Sequence, residues 1–271
     1  MKVTLFALVV VYGCRAEDTA SLQTLLRCPR NGCELRVLVW DNSPVPQPLA
    51  PDLAQAVHFV STPENLGLPI IYNRVASQWL KPGEYLLLLD QDSVLPPEFL
   101  DRAAAAISAH RDIDLFLPIV DAGGRQASPL TYVMGWGRTW KQRVTGRMPA
   151  RNVCAINSGM LIAGRYLADS APAYDEQLRF YGTDTQFMLD YADRRTHLVV
   201  FDAVIEHDLS FFSGPASQRA RKFADMRRAL LHVYARRSAV QRYIVALVML
   251  AAALRYAVKY QDLGFIRGSA R

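Results

Sequence analysis

Tyr85-Leu86-Leu87-Leu88-Leu89 is an unbroken apolar run that ends in Asp90-Gln91-Asp92, and it constrains the fold more than any other stretch. A strand that is apolar on both faces has to be covered on both, as in the centre of a sheet flanked by helices. Comparable apolar or β-branched runs recur at 3–11, 35–40, 57–60, 115–120, 155–163 and 198–204. Helical patterns lie between several of them, at 18–26, 69–80, 97–110 and 183–194. Pro69 suits a first helical turn, and Ile70, Ile71, Val75 and Trp79 fall near one face. This alternation predicts an α/β fold with a mostly parallel sheet. With 271 residues and 51% hydrophobic content, the chain can bury such a core.

Open α/β sheets bind ligands beyond the carboxyl ends of their strands, so the acids that end these runs are the first candidates for chemistry. Asp90 and Asp92 suit a hard divalent cation, Mg²⁺ or Mn²⁺, which commonly links a carboxylate to a diphosphate; the plainer use of such a pair is a solvated turn. Asp41-Asn42-Ser43, after the run at 35–40, can hydrogen-bond a pyrimidine and sugar hydroxyls or form an Asx turn. Glu64-Asn65-Leu66-Gly67, followed by Asn73, offers amides beside a helix start, where phosphates bind, or an ordinary cap. Asn157-Ser158-Gly159 interrupts an apolar run, and such polar groups must be satisfied. They hold a substrate, hold the backbone of the acid pair, or pack against each other. Phe180-Tyr181-Gly182-Thr183-Asp184-Thr185 puts an acid at a helix start, where Thr183 or Asp184 caps the helix or Asp184 takes part in chemistry.

The formal net charge of +6 favours an anionic partner: nucleic acid, an acidic membrane or a phosphorylated substrate. Cys14, Cys28, Cys33 and Cys154 make neither a disulfide framework nor a paired zinc motif, and are expected to be reduced thiols. The apolar run at 3–11 has one preceding Lys2 and no small-residue cleavage site, so it reads as a first strand rather than a leader. The four prolines of 43–52 mark a surface loop.

From 123 to 152 the pattern loosens around Gly135-Trp136-Gly137 and Trp140, with Arg138, Lys141, Arg143, Arg147 and Arg151 between. Either an acceptor- or phosphate-facing flap or a solvated basic loop over buried tryptophans is expected there. A boundary is expected at 212/213. Beyond it lies a basic stretch, Arg219, Arg221, Lys222, Arg227, Arg228, Arg236, Arg237 and Arg242, then an apolar one at 243–254. The apolar stretch is shorter than the ~20 residues that span a bilayer. The extension, 213–271, is expected to lie on an anionic membrane surface or to pack on the domain 1–212 with its basic face in water.

In order and spacing these motifs resemble the family 2 inverting glycosyltransferases of GT-A fold, a Rossmann-like nucleotide-diphospho-sugar transferase architecture. The resemblance runs from about residue 3 to 210. It is carried by Val11-Tyr12, Asp41-Asn42-Ser43, Glu64-Asn65-Leu66-Gly67 with Asn73, Leu89-Asp90-Gln91-Asp92-Ser93, Ser158-Gly159, Asp184-Thr185 and His207-Asp208-Leu209-Ser210. The Asp-Gln-Asp-Ser form resembles the bacterial rhamnosyltransferase branch.

The resemblance implies a mixed, mostly parallel sheet flanked by helices with a C-terminal helical extension. It implies Tyr12, Asp41, Asn65, Asn73 and Asp90 around the nucleotide, Asp92 and His207 on Mg²⁺ or Mn²⁺, and Asp184 as catalytic base. The implied reaction moves L-rhamnose from dTDP-L-rhamnose to a saccharide or polyprenyl-linked acceptor in surface polysaccharide (lipopolysaccharide) synthesis, at the inner face of the cell membrane. Such chemistry needs a cation on the leaving diphosphate and one carboxylate on the acceptor hydroxyl, with no covalent nucleophile.

The branch differs from this chain around the base, where Tyr181, Gln186-Phe187 and Asp190 replace its usual acids, Trp and Arg, and at the bulkier Gly67-Leu68-Pro69-Ile70. Alternatives are a UDP-hexose donor in the same fold and a non-catalytic nucleic-acid binder using 219–242. Tyr12-Gly13-Cys14-Arg15 is too poor in glycine for the phosphate loop of a sugar-nucleotide nucleotidyltransferase.

Overall fold

The computed structural model of the chain describes residues 2–207 and 215–267. Its central sheet runs β3 (His58–Ser61), β2 (Cys33–Asp41), β1 (Val3–Val11), β4 (Tyr85–Asp90), β11 (Leu161–Ala163), β5 (Leu115–Asp121), β12 (His197–Glu206) and β9 (Gly146–Pro149), with β6 (Gln126–Ser128) also on β5. The pairs of β1 with β2 and β4, β2 with β3, and β5 with β12 are parallel; β11, β9 and β6 join antiparallel. α1 (Ala20–Arg27) and α3 (Phe99–Ala109) contribute to the core on one face, and α2 (Leu68–Gln78), α4 (Gly164–Asp169) and α5 (Thr183–Arg194) to that on the other. Alternate residues of β4 show why the apolar run is continuous. Leu87 and Leu89 enter the first core, and Leu86 and Leu88 the second.

Three expectations are corrected. The run at 155–163 yields a strand only at Leu161–Ala163, because Asn157-Ser158-Gly159 folds into a turn whose backbone bonds to Leu88. Gly159 has φ +82°, and a Cβ there would lie 2.3 Å from the Ile205 Cδ1 atom and 2.6 Å from Pro118 Cγ. Only glycine fits that approach. The segment 123–152 is not an irregular loop. It forms β6 and β9 and, with β7 (Leu130–Val133), β8 (Trp136–Thr139) and β10 (Val153–Cys154), a second, three-stranded sheet. Its Trp136 is 63% exposed rather than buried. Third, neither Thr183 nor Asp184 is the cap of α5; Gly182, left-handed at φ +79°, precedes the helix.

The extension is helical: α6 (Ala216–Ala235), α7 (Ala239–Tyr260) and α8 (Gly264–Arg267). The apolar stretch at 243–254 therefore sits inside a longer helix, opened by a capping box between Ser238 and Gln241. Leu230, Val233 and Tyr234 of α6 and Val245 and Met249 of α7 form one cluster with Leu178 of the domain. The buried Asp175 carboxylate, 2.9 Å from His232 Nε2 and 3.1 Å from Arg236 Nη2, fastens α6 electrostatically. The expected boundary at 212/213 lies outside the described residues.

Candidate active site

Register brings the strand ends together. Val10 of β1 pairs with Asp90 of β4 and Val11 with Asp41 of β2, so both acids stand at one level along one edge. A cleft of about 680 Å³ opens there, lined among others by Tyr12, Asn42, Asn65, Asp90, Gln91, Asp92, Asn157, Arg179, Asp184, His207 and Lys222.

The acid pair is braced from its backbone. The Asp90 amide donates to Ser158 Oγ (3.2 Å), and the Ser158 hydroxyl is hydrogen-bonded to that of Ser93. Asn157, in turn, donates to Thr183 Oγ1 (3.2 Å) and accepts from the Tyr174 hydroxyl (3.1 Å). Of the uses foreseen for Asn157-Ser158-Gly159, Ser158 thus holds the backbone of the acid pair. Gln91 accepts from the Tyr12 amide at 2.7 Å and locks the end of β1 to the end of β4.

His207 arrives by a short bridge. Val94 and Glu206 exchange backbone hydrogen bonds of 2.9 and 3.1 Å, which carries the residue after β12 to the acid pair. Its Nε2 lies 3.6 Å from Asp90 Oδ2 and its Nδ1 3.2 Å from Asp92 Oδ1. Burial pushes the Asp90 carboxyl up to about 6; His207 opposes that shift, while Asp92 and Asp184 add to it.

Asp184 stands in the first turn of α5, its Oδ1 accepting from the Thr185 amide at 2.7 Å. Burial raises its carboxyl above the usual carboxylate range, against the lowering effect of these local hydrogen bonds. Among the described residues, three acids and one imidazole therefore share the cleft, and the Lys and Arg facing it are Arg179 and Lys222.

Two expected nucleotide ligands are turned elsewhere. Asp41 is fully buried: Oδ1 accepts from the Ser43 amide (3.0 Å), and Oδ2 from the Gln47 amide (2.8 Å) and the Ser61 hydroxyl (3.1 Å). These donors hold its carboxyl below the usual range despite burial. It ties down the proline-rich loop, and its neighbour Asn42 lines the cleft instead. Asn73 bonds both ways with the Tyr174 backbone (2.9 and 3.1 Å) and donates to Glu176 (3.0 Å), joining α2 to the loop before α5. Tyr12, Asn65, Asp90, Asp92, Asp184 and His207 do line the cleft. Asp208, Leu209 and Ser210 lie outside the described residues, and no residue of 123–152 lines the cleft.

Gln91, Arg179 and Lys222 were not singled out from the sequence as cleft residues. Arg179 Nη2 donates to the Asn65 carbonyl at 2.9 Å, supporting that residue's left-handed backbone at φ +49°. Lys222 reaches the cleft from α6, so the extension forms part of its wall.

The donor chemistry fits a divalent cation. Among the described residues no three His, Cys, Asp or Glu side chains converge on one point. Mg²⁺, however, is usually held by one or two carboxylates, with substrate phosphates and water completing its shell. Asp90 and Asp92, facing a cleft large enough for a nucleotide, meet that description.

No family model matches the chain, and no curated protein does. Solved structures of Staphylococcus aureus TarS do match in three dimensions. Residues 1–349 of TarS in complex with UDP align over 100% of this chain and 76% of that one, with 17% identity and a TM-score of 0.61. The same portion with UDP-GlcNAc aligns over 97% and 84%, with 15% identity and a TM-score of 0.56. Against the longer TarS structure the chain covers 44% of that protein (95% of this one; 15% identity, TM-score 0.60). The fold is of GT-A type. At these identities the likeness is one of architecture, and it bears out the expected mixed, mostly parallel sheet with a C-terminal helical extension.

Proposed function

We propose that the protein is an inverting glycosyltransferase acting on a pyrimidine nucleoside-diphosphate sugar, with dTDP-L-rhamnose the favoured donor and a saccharide or lipid-linked saccharide the acceptor. The observation that carries this reading is the meeting of Asp90, Asp92, His207 and Asp184 in one cleft at the sheet's carboxyl edge. The UDP and UDP-GlcNAc complexes of TarS support a nucleotide-sugar partner. The Asp-Gln-Asp-Ser motif supports rhamnose. With Asp41 turned away, Tyr12 and Asn42 are left to face the base.

Asp184 takes the proton of the acceptor hydroxyl as that oxygen bonds to the anomeric carbon, while the bond to the diphosphate breaks on the opposite face. The nucleoside diphosphate leaves and the configuration inverts. A carboxylate with a raised pKa is the stronger base. Arg179 and Lys222 offset charge on the diphosphate, and Asp90 and Asp92, with His207 beside them, would hold Mg²⁺ or Mn²⁺. That ion, when bound, supplies Lewis-acid stabilisation of the departing diphosphate.

A UDP-hexose donor is the second reading, favoured by the UDP-GlcNAc complex of the TarS fold relative. Thermal stabilisation by dTDP, UDP and GDP, each with and without Mn²⁺, tests both. The expected order is dTDP above GDP, with Mn²⁺ dependence that Asp92→Asn removes. Larger stabilisation by UDP than by dTDP selects the second reading, and a shift of zero with all three nucleotides rejects both.

A further inference from the structure

α7 is apolar on two faces. Val245, Met249, Ala253 and Ala257, four residues apart, face inward and are buried, the first two packing with α6 and the last two with Phe223 and Phe265. The outward face is also apolar. Val240, Tyr243, Leu247, Leu250, Leu254 and Val258 recur at spacings of three and four and are 66%, 67%, 47%, 43%, 49% and 80% exposed. Water is a poor solvent for such a stripe, and an apolar face this long, left uncovered among the described residues, marks a contact surface.

Charge identifies the partner. α7 holds Arg242, Arg255 and Lys259, all exposed, and no acid. Residues 213–271 carry twelve Lys and Arg against two Asp, a charge of +10, whereas the first 212 carry 19 against 23, a charge of −4. The basic character of the protein is thus confined to the extension that presents the stripe. A second copy would set cationic flank against cationic flank; an anionic lipid surface accepts both the cations and the apolar side chains.

We propose that α7 lies flat on an anionic membrane surface, with its outward stripe in the headgroup boundary and its cations on the lipid phosphates. The 22 residues of α7 are long enough to cross a bilayer, yet its inward face is committed to α6, α8 and the β7–β8 turn, where Met134 packs against the cluster of Val245 and Met249. A helix fastened along one face lies on the membrane rather than through it. Because α6 bears Lys222 in the cleft and packs on α7, docking would bring the cleft to the lipid surface, where a lipid-linked acceptor resides.

Sedimentation of the full chain with phosphatidylglycerol/phosphatidylcholine vesicles, beside pure phosphatidylcholine, tests this without reference to the chemistry of the cleft. Binding to the anionic vesicles is expected, weakened by high salt. Leu247→Ser/Leu250→Ser/Leu254→Ser, at exposed positions, should weaken it about 100-fold or more while leaving circular dichroism and nucleotide stabilisation unchanged. Arg242→Gln/Arg255→Gln/Lys259→Gln should weaken it about 10- to 100-fold at low salt. Failure to bind at low salt, equal binding to neutral vesicles, or a serine variant that binds normally would overturn the proposal. Retention through alkaline carbonate washing would replace it with a spanning helix, and a dimer in solution dissolved by the serine variant would assign the stripe to a second copy.

Discussion

On one side of the cleft, Gln91, Ser158 and Asn42 hydrogen-bond the ends of β1 and β4 and the 65–66 loop into fixed register; on the other, Arg179, Asp184 and Lys222 come from a loop, a helix start and the extension. The first wall inherits its geometry from the parallel sheet. The second depends on how α5 and α6 pack. On the proposed function, a donor's diphosphate would need fixed positions, and strand ends provide them. An acceptor differs from one transferase to another, and elements outside the sheet can change without disturbing the fold.

The largest expected effect sets the two walls apart. Asp184→Asn should leave nucleotide and Mn²⁺ stabilisation intact and lower turnover by about 10²–10⁴, the range of general-base catalysis. Its raised pKa adds a signature. A general base works only when ionised, so if Asp184 fills that role turnover should climb with pH through a value above that of an ordinary carboxylate, and that acid limb should vanish in the variant. A residue that served only the start of α5 would show nearly normal turnover, since asparagine suits a helix start about as well as aspartate. Initial rates of nucleoside diphosphate release across pH decide between them.

Lys222 comes next, because it joins the walls. If it faces the diphosphate, Lys222→Gln should raise the donor KM about 10- to 100-fold, the worth of a charged hydrogen bond, with a smaller change in kcat. Lys222→Arg should recover part of that affinity. An unchanged KM would make the extension a bystander to the cleft.

What could be read from the residues divides along the same line. The strands through β5, β12 and the helix α5 were legible because period and length identify buried strands and amphipathic helices. The cleft positions of Asp90, Asp92 and Asp184 followed from acids placed at the ends of such elements. Asp41 and Asn73 misled, since an acid or amide at a strand end serves a loop as readily as a ligand, and only the donors around it show which. The strands from 126 to 154 were missed because they are only two to four residues long and none is buried along its whole length. Lys222 could not be told from the other cations of α6, because helix packing selects which one meets the cleft.

The smallest effect concerns the attachment of the second wall. Asp175 is nearly buried, and its carboxyl is held low against burial by His232, the Gln177 amide and Arg236. A carboxyl whose folded-state pKa is depressed adds stability above its unfolded value, near 3.9, and loses it as pH falls through the lower folded value. Acid should therefore loosen α6 in the window below about pH 4. The titratable neighbours Asp190 and Asp193 are already paired with Arg237 and bind the same helix end. Asp175→Asn removes the charge but not the side-chain shape, and should cost about 1–3 kcal/mol. The loss should be local: faster hydrogen exchange in α6 and the start of α7, with β1, β4 and β5 unchanged. Uniform loss of protection across the sheet would show instead that the two walls unfold as one cooperative unit.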